Sequence, residues 1–408
     1  MTNSDETSAG SGEAPLAGLR VVEVSSFVAA PLGGLTLAQL GAEVIRVDPV
    51  GGGPDYARWP VAPSGTSLYW TGLNKNKRSV ALDLRSPEGQ QAVRDMVVSS
   101  GPDGGILLTN ASYPWLDYDV LRQHRPDVIA LRITGTHDGG TAVDYTVNAG
   151  IGFPLTTGPE GLASPVNHVL PAWDVTCGLY AATGILAAER HRRRTGQGRA
   201  ITLALSDVAL AVTGHLGFLA EPEVTGRFRP RIGNHLYGSL ARDFRTASGD
   251  SVLIVILTSR HFADLGRVTG LAGTLTEVER AVGGDFSTDA GRYEHREVIA
   301  ALLAPWFAAR GTDEVERALS QTSVLWQRYR TFAEVAADPA TAANPLMHRI
   351  DQPGVGPVTV PGLPLAQPGL PPVAPAPALG QDTAELLREL APPSRHGDHP
   401  AGGLIHPE

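Results

Sequence analysis

Continuous apolar runs of five or six residues recur through the first half of the chain, separated by segments of helical length. An apolar run of this length without polar alternation is typical of a strand that is buried on both faces of a parallel sheet. The first two runs flank a small-residue helix at 31–40 that ends at Gly41, which predicts a right-handed βαβ unit. The predicted strands are 19–24, 43–47, 80–84, 104–109, 128–133 and 200–205.

The pattern changes after an apolar helix at 207–219. A segment rich in arginine follows, and the remaining signals predict a smaller α/β unit with strands at 240–244 and 252–256. Its helices are expected at 260–266, 294–309 and 312–321. From residue 340 the chain is rich in Pro and Gly, with few helix signals before 383–390.

One long helix, predicted over 175–194, carries the most informative position of the chain. Pro171 and Asp174 stand at its start, where an Asp is most often an N-cap. Small residues between Gly178 and Gly184 leave a face for close packing, and a basic run at 190–194 followed by Gly196 marks the end. The positive end of the helix dipole also stabilises an anion, so the Asp174 carboxylate is a candidate nucleophile for an activated acyl carbon.

Composition excludes several classes of protein. The 408 residues include 33 basic and 42 acidic side chains, a formal charge of −9 that disfavours nucleic acid as a partner. Cys177 is the one cysteine, which excludes a disulfide framework and zinc-type cysteine spacing and fits a cytoplasmic protein. No apolar run is long enough to span a membrane, and the N-terminus has no signal-peptide pattern. The protein is therefore expected to be soluble and cytoplasmic, and no metal site is expected.

A dinucleotide site is the first alternative for the opening βαβ unit. Asp48 ends the second predicted strand, about where an acid that binds a ribose would stand. However, the turn at 25–31 reads SSFVAAP and lacks the glycines that let a backbone approach a pyrophosphate. The sequence therefore disfavours NAD.

Four segments resemble the class III CoA-transferases, the family of formyl-CoA and carnitine CoA-transferases. The first is Asp174 with the helix end GILAAERHRRRTGQG. The others are LRVVEVSSFVAAPLGGLTLAQLGAEVIRVDP, SLYWTGLNKNKRSVALDLRSPEGQ and PAPALGQDTAELLREL. The stretches GGGPDYARWPV, DYTVNAGIGFPLTTGP, VNHVLPAWD, GHLGFLAE and RPRIGNHLYGSLARDF resemble one branch, whose members move CoA between the two carboxyls of mesaconate.

The resemblance implies a class III CoA-transferase fold. This fold has a Rossmann-like large domain with a parallel sheet, a smaller α/β domain, and a homodimer whose subunits interlock like chain links. We then expect a large domain at 16–222 and 340–395, a small domain at 223–339, a disordered N-terminus at 1–15 and a flexible tail at 396–408.

The resemblance also assigns a CoA site. By alignment it consists of Val28, Ala29, Leu82, Arg85, Asn110, Ala111 and Ser112, with the CoA thioester as substrate and no tightly bound cofactor. The basic cluster at 74–79 is either a solvated loop or a set of charges for the CoA phosphates.

In the implied mechanism Asp174 attacks the thioester, and mixed anhydride and aspartyl-CoA intermediates follow. Candidates for the groups that hold the idle carboxylate and the developing oxyanions are Tyr145, Asn167 and His168. The glycine-rich loop that covers the aspartate in formyl-CoA transferase is not recognisable at 231–238, so the intermediates must be shielded differently.

Three alternatives remain. The first is an intermolecular CoA-transferase for another dicarboxylic acid, which would use the same aspartate. A 2-methylacyl-CoA racemase would need a histidine at the position of Val143, and a noncatalytic CoA-binding dimer would not need Asp174.

Overall fold

A computed structural model describes residues 13–390 of the chain, which form two compact units. Within the described range, the first unit comprises residues 13–147, 171–211 and 345–390. The second comprises residues 148–170 and 212–344. The tail expected at 396–408 and all but the last three residues of the expected disordered segment 1–15 lie outside the described residues.

The first unit is built on a six-stranded parallel sheet in the order β3-β2-β1-β4-β5-β6. This arrangement confirms the predicted Rossmann-like α/β fold, because the strand order reverses between β1 and β4 as it does in doubly wound sheets. An antiparallel hairpin, β10–β11, completes the strands of this unit. The second unit has an antiparallel sheet in the order β7-β8-β9. The strands are β1 (Arg20–Val24), β2 (Glu43–Pro49), β3 (Arg78–Leu82), β4 (Ile106–Thr109), β5 (Ile129–Thr134), β6 (Arg199–Ala204), β7 (Leu240–Arg245), β8 (Ser251–Ile256), β9 (Leu325–Arg328), β10 (Met347–Gln352) and β11 (Gly356–Pro361).

Helices connect these strands, and one 3₁₀ turn, Pro114–Leu116, precedes α4. Helix α7 is the longest of those described, with 24 residues. The helices are α1 (Ala29–Gln39), α2 (Leu68–Leu73), α3 (Pro87–Val98), α4 (Tyr118–His124), α5 (Asp144–Gly150), α6 (Phe153–Thr156), α7 (Ala172–Thr195), α8 (Leu205–His215), α9 (Ala220–Thr225), α10 (Ser259–Thr269), α11 (Ala272–Val282), α12 (Asp289–Glu294), α13 (Arg296–Ala308), α14 (Thr312–Leu319), α15 (Phe332–Ala337), α16 (Pro339–Ala342) and α17 (Thr383–Leu390).

The C-terminal helix covers the outer edge of the parallel sheet. Asp382 accepts a hydrogen bond from the Ser79 N–H at 2.8 Å, and the Thr383 hydroxyl accepts one from the Ala81 N–H at 3.0 Å. These side chains satisfy backbone groups of β3 that an edge strand would otherwise leave exposed. The segment 375–390 is therefore part of the first unit.

The second unit has a core of its own. Alternate residues of β8, from Val252 to Ile256, are buried, as expected for a strand with one covered face. The rings of Phe244 and Phe307 stack there with centroids 4.5 Å apart. None of the helices described in either unit has the length and apolar character needed to cross a membrane.

The local structure differs from the sequence pattern in two places. The glycine content of segment 135–161 predicts a loop, but the segment contains α5 and α6. Helix α7 begins at Ala172 rather than at residue 175, because its cap comes from outside the local sequence. The sequence pattern also missed several elements, among them α3, α11 and the hairpin β10–β11.

Candidate active site

The start of α7 places Asp174 in the first helical turn without giving it a capping role. Pro171 occupies the N-cap position and makes no side-chain capping hydrogen bond. Asp174 is the third helical residue and half-buried. The expectation that Asp174 is an ordinary N-cap is therefore wrong.

The cap is supplied by Asp144, the first residue of α5. One oxygen of its buried carboxylate accepts hydrogen bonds from the N–H of Trp173 at 2.7 Å and from the N–H of Asp174 at 3.0 Å. These are two of the donors that a helix N-terminus leaves without an intrahelical partner. Because Asp144 satisfies them, the carboxylate of Asp174 is available for other chemistry.

The surroundings of Asp174 favour a carboxyl that holds its proton more tightly than usual. Burial, and then the negative charge of Asp144, raise the pKa of Asp174 to about 6, while the guanidinium of Arg58 acts in the opposite direction. A carboxylate that is incompletely solvated is a stronger nucleophile towards carbon than one in water. Above pH 6 the group is mainly ionised and able to attack.

Small residues bring α1 against α7 beside Asp174. A Cβ atom on Gly178 would lie 2.7 Å from the Ala29 carbonyl oxygen, and one on Gly33 would lie 3.1 Å from the Gly178 carbonyl oxygen. Only glycine allows the two backbones to approach this closely. The predicted packing face of α7 is confirmed, and it aligns the turn that carries Asp174 with the first residue of α1.

The turn between β1 and α1 has an unusual backbone conformation. Phe27 has a φ of 66°, a left-handed value that is rare for an aromatic residue. Its N–H donates to Asp55 at 2.9 Å, and the side-chain amide of Asn110 bonds to both the N–H and the carbonyl of Ser26. Structure outside the turn therefore holds Phe27 in this conformation.

A buried ionic network lies beneath this turn. Arg46 forms ion pairs with Glu23 at 3.2 Å, Asp48 at 2.8 Å and Asp55 at 3.4 Å. Lys77 pairs with the same Glu23 at 2.9 Å, and burial lowers the pKa of Lys77 to about 8. Asp48 is thus occupied inside the protein, which removes the acid on which a dinucleotide site would depend.

The basic cluster at 74–79 is neither a solvated loop nor a set of free charges for the CoA phosphates. Lys75 and Lys77 are buried, and Lys75 donates to the Gly72 carbonyl at 2.7 Å. Arg78 forms ion pairs with Glu43 at 2.7 Å and with Glu385 at 3.0 Å. These cations therefore hold the fold together, and the cluster as a whole is not an open patch for phosphates.

The residues predicted for CoA lie at the carboxyl ends of β1, β3 and β4. Val28 is the N-cap of α1 and Ala29 its first residue, and both are buried. Asn110 directly follows β4, and its bonds to Ser26 join the ends of β1 and β4 at the point where the strand order reverses. Doubly wound sheets bind ligands in this crevice.

The other predicted CoA residues occupy the same edge of the sheet. Leu82 ends β3 and is half-buried, and Ala111 donates its N–H to the Thr109 hydroxyl at 2.9 Å. Ser112 and Arg85 are exposed. Within residues 13–390 the Arg85 side chain forms no ion pair, so its charge is available to a ligand.

The three candidates for substrate binding fall in different units. Tyr145 follows Asp144 on α5 in the first unit, and its side chain is exposed. Asn167 and His168 belong to the second unit, where Asn167 accepts a hydrogen bond from Asn148 at 3.1 Å. His168 is half-buried. In the same unit the Arg231 guanidinium donates to the carbonyls of Pro154 and Leu155, and this ties down the start of the loop 231–238.

Cys177 is not a candidate nucleophile. It is fully buried in α7, and burial, with a contribution from the charge of Asp174, raises the pKa of the thiol to about 12. Only the thiolate reacts readily, so the cysteine acts as a small core residue. Among the described residues no group of three His, Cys, Asp or Glu side chains could hold a metal ion.

Sequence reasoning missed the contacts of Asp144 and Arg58. Both belong to stretches that carry the family resemblance, GGGPDYARWPV and DYTVNAGIGFPLTTGP. However, neither stretch has a local pattern that predicts which residues they contact. Asp144 lies 30 residues from Asp174, and Arg58 lies against the rings of Phe27 and Tyr69. An acid at the start of α5 is the one signal that could have suggested a cap.

Comparison with known proteins defines the class. The family model described as CoA-transferase family III matches residues 16–383. The chain therefore belongs to CoA-transferase family III and is an enzyme of that family. This result confirms the resemblance seen in the sequence.

Three characterised relatives are similar to this chain over most of its length. The chain is 49% identical to a 2-methylfumaryl-CoA isomerase of Chloroflexus aurantiacus, over 92% of this chain and 93% of that protein. It is 30% identical to a succinate–glutarate CoA-transferase of Agrobacterium fabrum, over 92% of this chain and 96% of that protein. A succinyl-CoA–D-citramalate CoA-transferase of Chloroflexus aurantiacus is 29% identical over 92% of this chain and 94% of its own length.

Solved structures share the fold. The crystal structure of a CAIB/BAIF family protein from Brucella suis matches with a TM-score of 0.78 at 27% identity, covering 93% of this chain and 100% of that one. The crystal structure of a hypothetical protein from Mycobacterium tuberculosis matches with a TM-score of 0.74 at 24% identity, over 91% of this chain and 99% of that one. The second likeness concerns the fold alone.

Proposed function

We propose that this enzyme interconverts the C1 and C4 CoA thioesters of 2-methylfumarate (mesaconate) by intramolecular CoA transfer. The observation that carries the proposal is the position of Asp174, a half-buried carboxylate at a helix N-terminus that is relieved of capping by Asp144. The 49% identity to a 2-methylfumaryl-CoA isomerase supports the choice of acid.

The first step of the proposed mechanism is attack of the Asp174 carboxylate on the thioester carbonyl. A C–O bond forms, the C–S bond breaks, and the products are a mixed anhydride and CoA thiolate. The thiolate then attacks the aspartyl carbonyl, which forms an aspartyl-CoA thioester and releases the carboxylate of the acid. Both steps conserve the energy of the thioester without a second substrate.

The acid then reacts through its other end. After the mesaconate dianion turns in the site, its second carboxylate attacks the aspartyl thioester, and the same two steps run in reverse on the new carbon. No proton is gained or lost, so the site needs only a cation or donors for the idle carboxylate and for the developing oxyanions.

The other parts of the site remain proposals of the same kind. CoA is expected to contact Val28, Ala29, Leu82, Arg85, Asn110, Ala111 and Ser112. Tyr145, Asn167 and His168 are the proposed oxyanion donors, on their sequence positions alone. The expected assembly is the interlocked homodimer that the family resemblance implies.

The decisive experiment measures the conversion of one mesaconyl-CoA thioester into the other and its dependence on Asp174. Mesaconyl-C1-CoA should convert to mesaconyl-C4-CoA without an added acceptor, and Asp174→Ala should reduce kcat by more than about 10³-fold. The intact mass of the wild-type protein should increase by that of the bound CoA during turnover. Hydroxylamine should then release CoA and leave the mass of the aspartyl hydroxamate at Asp174. Full activity of Asp174→Ala would refute the covalent mechanism.

An intermolecular CoA-transferase is the second candidate, favoured by the relatives that transfer CoA between two different acids. The two functions separate when labelled free mesaconate and succinate are present during the conversion. An acid retained in the site has an effective molarity of about 10⁵ M or more, so millimolar free acids should compete poorly. Entry of label at the rate of isomerisation, or accumulation of succinyl-CoA, would establish the intermolecular transferase instead.

A further inference from the structure

The Arg58 guanidinium is fixed in place by aromatic rings. Its central carbon lies 5.5 Å from the centroid of the Phe27 ring and 5.1 Å from that of the Tyr69 ring. An arginine stacked in this way keeps its five N–H donors in the plane of the guanidinium, where they can bind a carboxylate in a two-pronged manner. Within residues 13–390 the Arg58 side chain takes part in no hydrogen bond or ion pair, so these donors are uncommitted.

The two supports of Arg58 are themselves rigid. The Arg58 N–H donates to the Asp55 carbonyl at 3.1 Å, and Asp55 is buried and accepts the N–H of Phe27 at 2.9 Å. Asp55 is paired in turn with the buried Arg46. The Phe27 ring that contacts Arg58 is therefore held by hydrogen bonds and ion pairs. The same buried network offsets the strain of the left-handed conformation of Phe27.

Arg58 also belongs to the surroundings of the candidate nucleophile. Phe27 directly precedes the start of α1, and Ala29 of that helix contacts Gly178 on the turn that follows Asp174. The charge of Arg58 acts on Asp174, and the pKa of Tyr69, which burial raises to about 12, responds to the charges of both. A stacked cation that makes no ion pair within residues 13–390 thus adjoins the turn that packs on α7, and its charge acts on the carboxylate that would carry the acyl group.

We propose that Arg58 binds the carboxylate of the substrate that is not undergoing acyl transfer, so that the site selects CoA thioesters of short dicarboxylic acids. This inference rests on the proposed function. Because isomerisation exchanges the roles of the two carboxyls, Arg58 binds the C4 carboxylate of one thioester and the C1 carboxylate of the other. It is a residue that determines specificity in both halves of the reaction.

The test compares two thioesters that differ in one group. Mesaconyl-C1-CoA carries a free carboxylate, and 2-methylcrotonyl-CoA has a methyl group in its place. The rate of formation of the aspartyl-CoA thioester is measured by intact protein mass in a single turnover, which needs no second carboxylate. The wild-type enzyme should prefer the mesaconyl thioester by at least about 10²-fold, since only that thioester carries a carboxylate that the paired donors of Arg58 can bind.

Arg58→Gln should abolish most of this preference by slowing only the reaction of the mesaconyl thioester. Arg58→Lys keeps the charge without the paired donors and should retain an intermediate preference. Tyr69→Phe keeps the ring beneath Arg58 and should retain the full preference. The matched control is Arg94→Gln on α3, which removes a half-buried arginine that lies 6.0 Å from the Trp115 ring and is at none of the positions proposed for CoA or the acid, and it should change nothing.

Two results would overturn the proposal. Arg58→Gln could slow both thioesters equally and move the acid limb of the pH profile upward, which would mean that Arg58 only lowers the pKa of Asp174. An unchanged preference in a folded Arg58→Gln protein would show that another group binds the carboxylate. Failure of the wild-type enzyme to form any aspartyl-CoA thioester would instead refute the proposed function itself.

Discussion

At the scale of single residues, keeping Asp174 ionised lowers the free energy of unfolding. A carboxyl whose pKa rises to about 6 on folding is less stable as an anion in the folded protein than in the unfolded chain. The unfavourable contribution is complete above pH 6 and absent below about pH 4, where both states are protonated. Active sites commonly store instability of this kind.

Asp174→Asn should therefore stabilise the protein at pH 8. We expect the free energy of unfolding to rise by about 1–3 kcal/mol, from a shift of about two pKa units reduced for partial solvation. The gain should shrink as the pH falls from 6 to 4, and urea unfolding at several pH values measures it. Asp119→Asn, at a side chain that is 81% exposed, is the control and should show no such dependence. A constant gain at every pH would contradict the argument.

Asp144 has two effects that substitution can separate. In Asp144→Asn the side-chain oxygen can still accept the N–H bonds of Trp173 and Asp174, but the negative charge is lost. The pKa of Asp174 should then fall, so the acid limb of kcat/KM should move below pH 6. Asp144→Ala also removes the cap and should lower the free energy of unfolding by about 1–2 kcal/mol. An acid limb that does not move in Asp144→Asn would exclude Asp144 as a cause of the raised pKa.

At the scale of secondary-structure elements, the contact between α1 and α7 positions Asp174, the proposed nucleophile. The contact depends on glycines, because backbone atoms of one helix occupy the space that a side chain of the other would need. A displacement of α1 would move Ala29 and the adjoining Phe27 turn relative to Asp174. The packing of the two helices is therefore linked to the geometry of the site.

Gly178→Ala tests this link. Its Cβ would lie 2.7 Å from the Ala29 carbonyl oxygen and 3.0 Å from the Leu32 Cβ, so the helices must separate. We expect a loss of about 1–3 kcal/mol in unfolding free energy and a fall in kcat. The control is Gly184→Ala on the same helix, where the nearest atom is Leu131 Cδ1 at 3.2 Å, the end of a flexible side chain. This control should be neutral or gain up to about 1 kcal/mol from helix propensity. Equal effects of the two substitutions would show that close packing at Gly178 is unimportant.

At the scale of the whole molecule, the surface of the single chain carries large apolar side chains that water does not favour. Trp59, Phe228 and Phe332 are 81%, 87% and 91% exposed. Exposed aromatic residues of this kind are common in interfaces between subunits. They agree with the homodimer that the family resemblance implies, and that we propose.

Sedimentation equilibrium at micromolar concentration should give twice the chain mass of 42.9 kDa. Subunits that interlock must partly unfold to separate, so the dimer should persist on dilution to nanomolar concentration. Mixing two differently tagged preparations measures exchange, which we expect to take hours or longer. A mass of one chain at micromolar concentration, or exchange within seconds, would contradict the interlocked dimer.

The sequence by itself determined the parallel sheet, the end of α7 and the family. Each of these is encoded by patterns that act over a few residues, such as an apolar run, a basic helix end followed by Gly196, or a family motif around Asp174. Helix α17, at Thr383–Leu390, matches its predicted bounds for the same reason. Contacts within a helix or strand recur with the period of that element, so they can be predicted from the spacing of residue types in the sequence.

Only the tertiary structure decided which charged groups are free to react. Lys75, Lys77 and Asp48 look like ligand-binding residues in the sequence but are buried in internal contacts. Asp174 looks like a cap, yet the cap is a carboxylate 30 residues away, and this leaves Asp174 available as a nucleophile. The physical reason is that burial and pairing of a charge depend on residues distant in the chain, which no local period records.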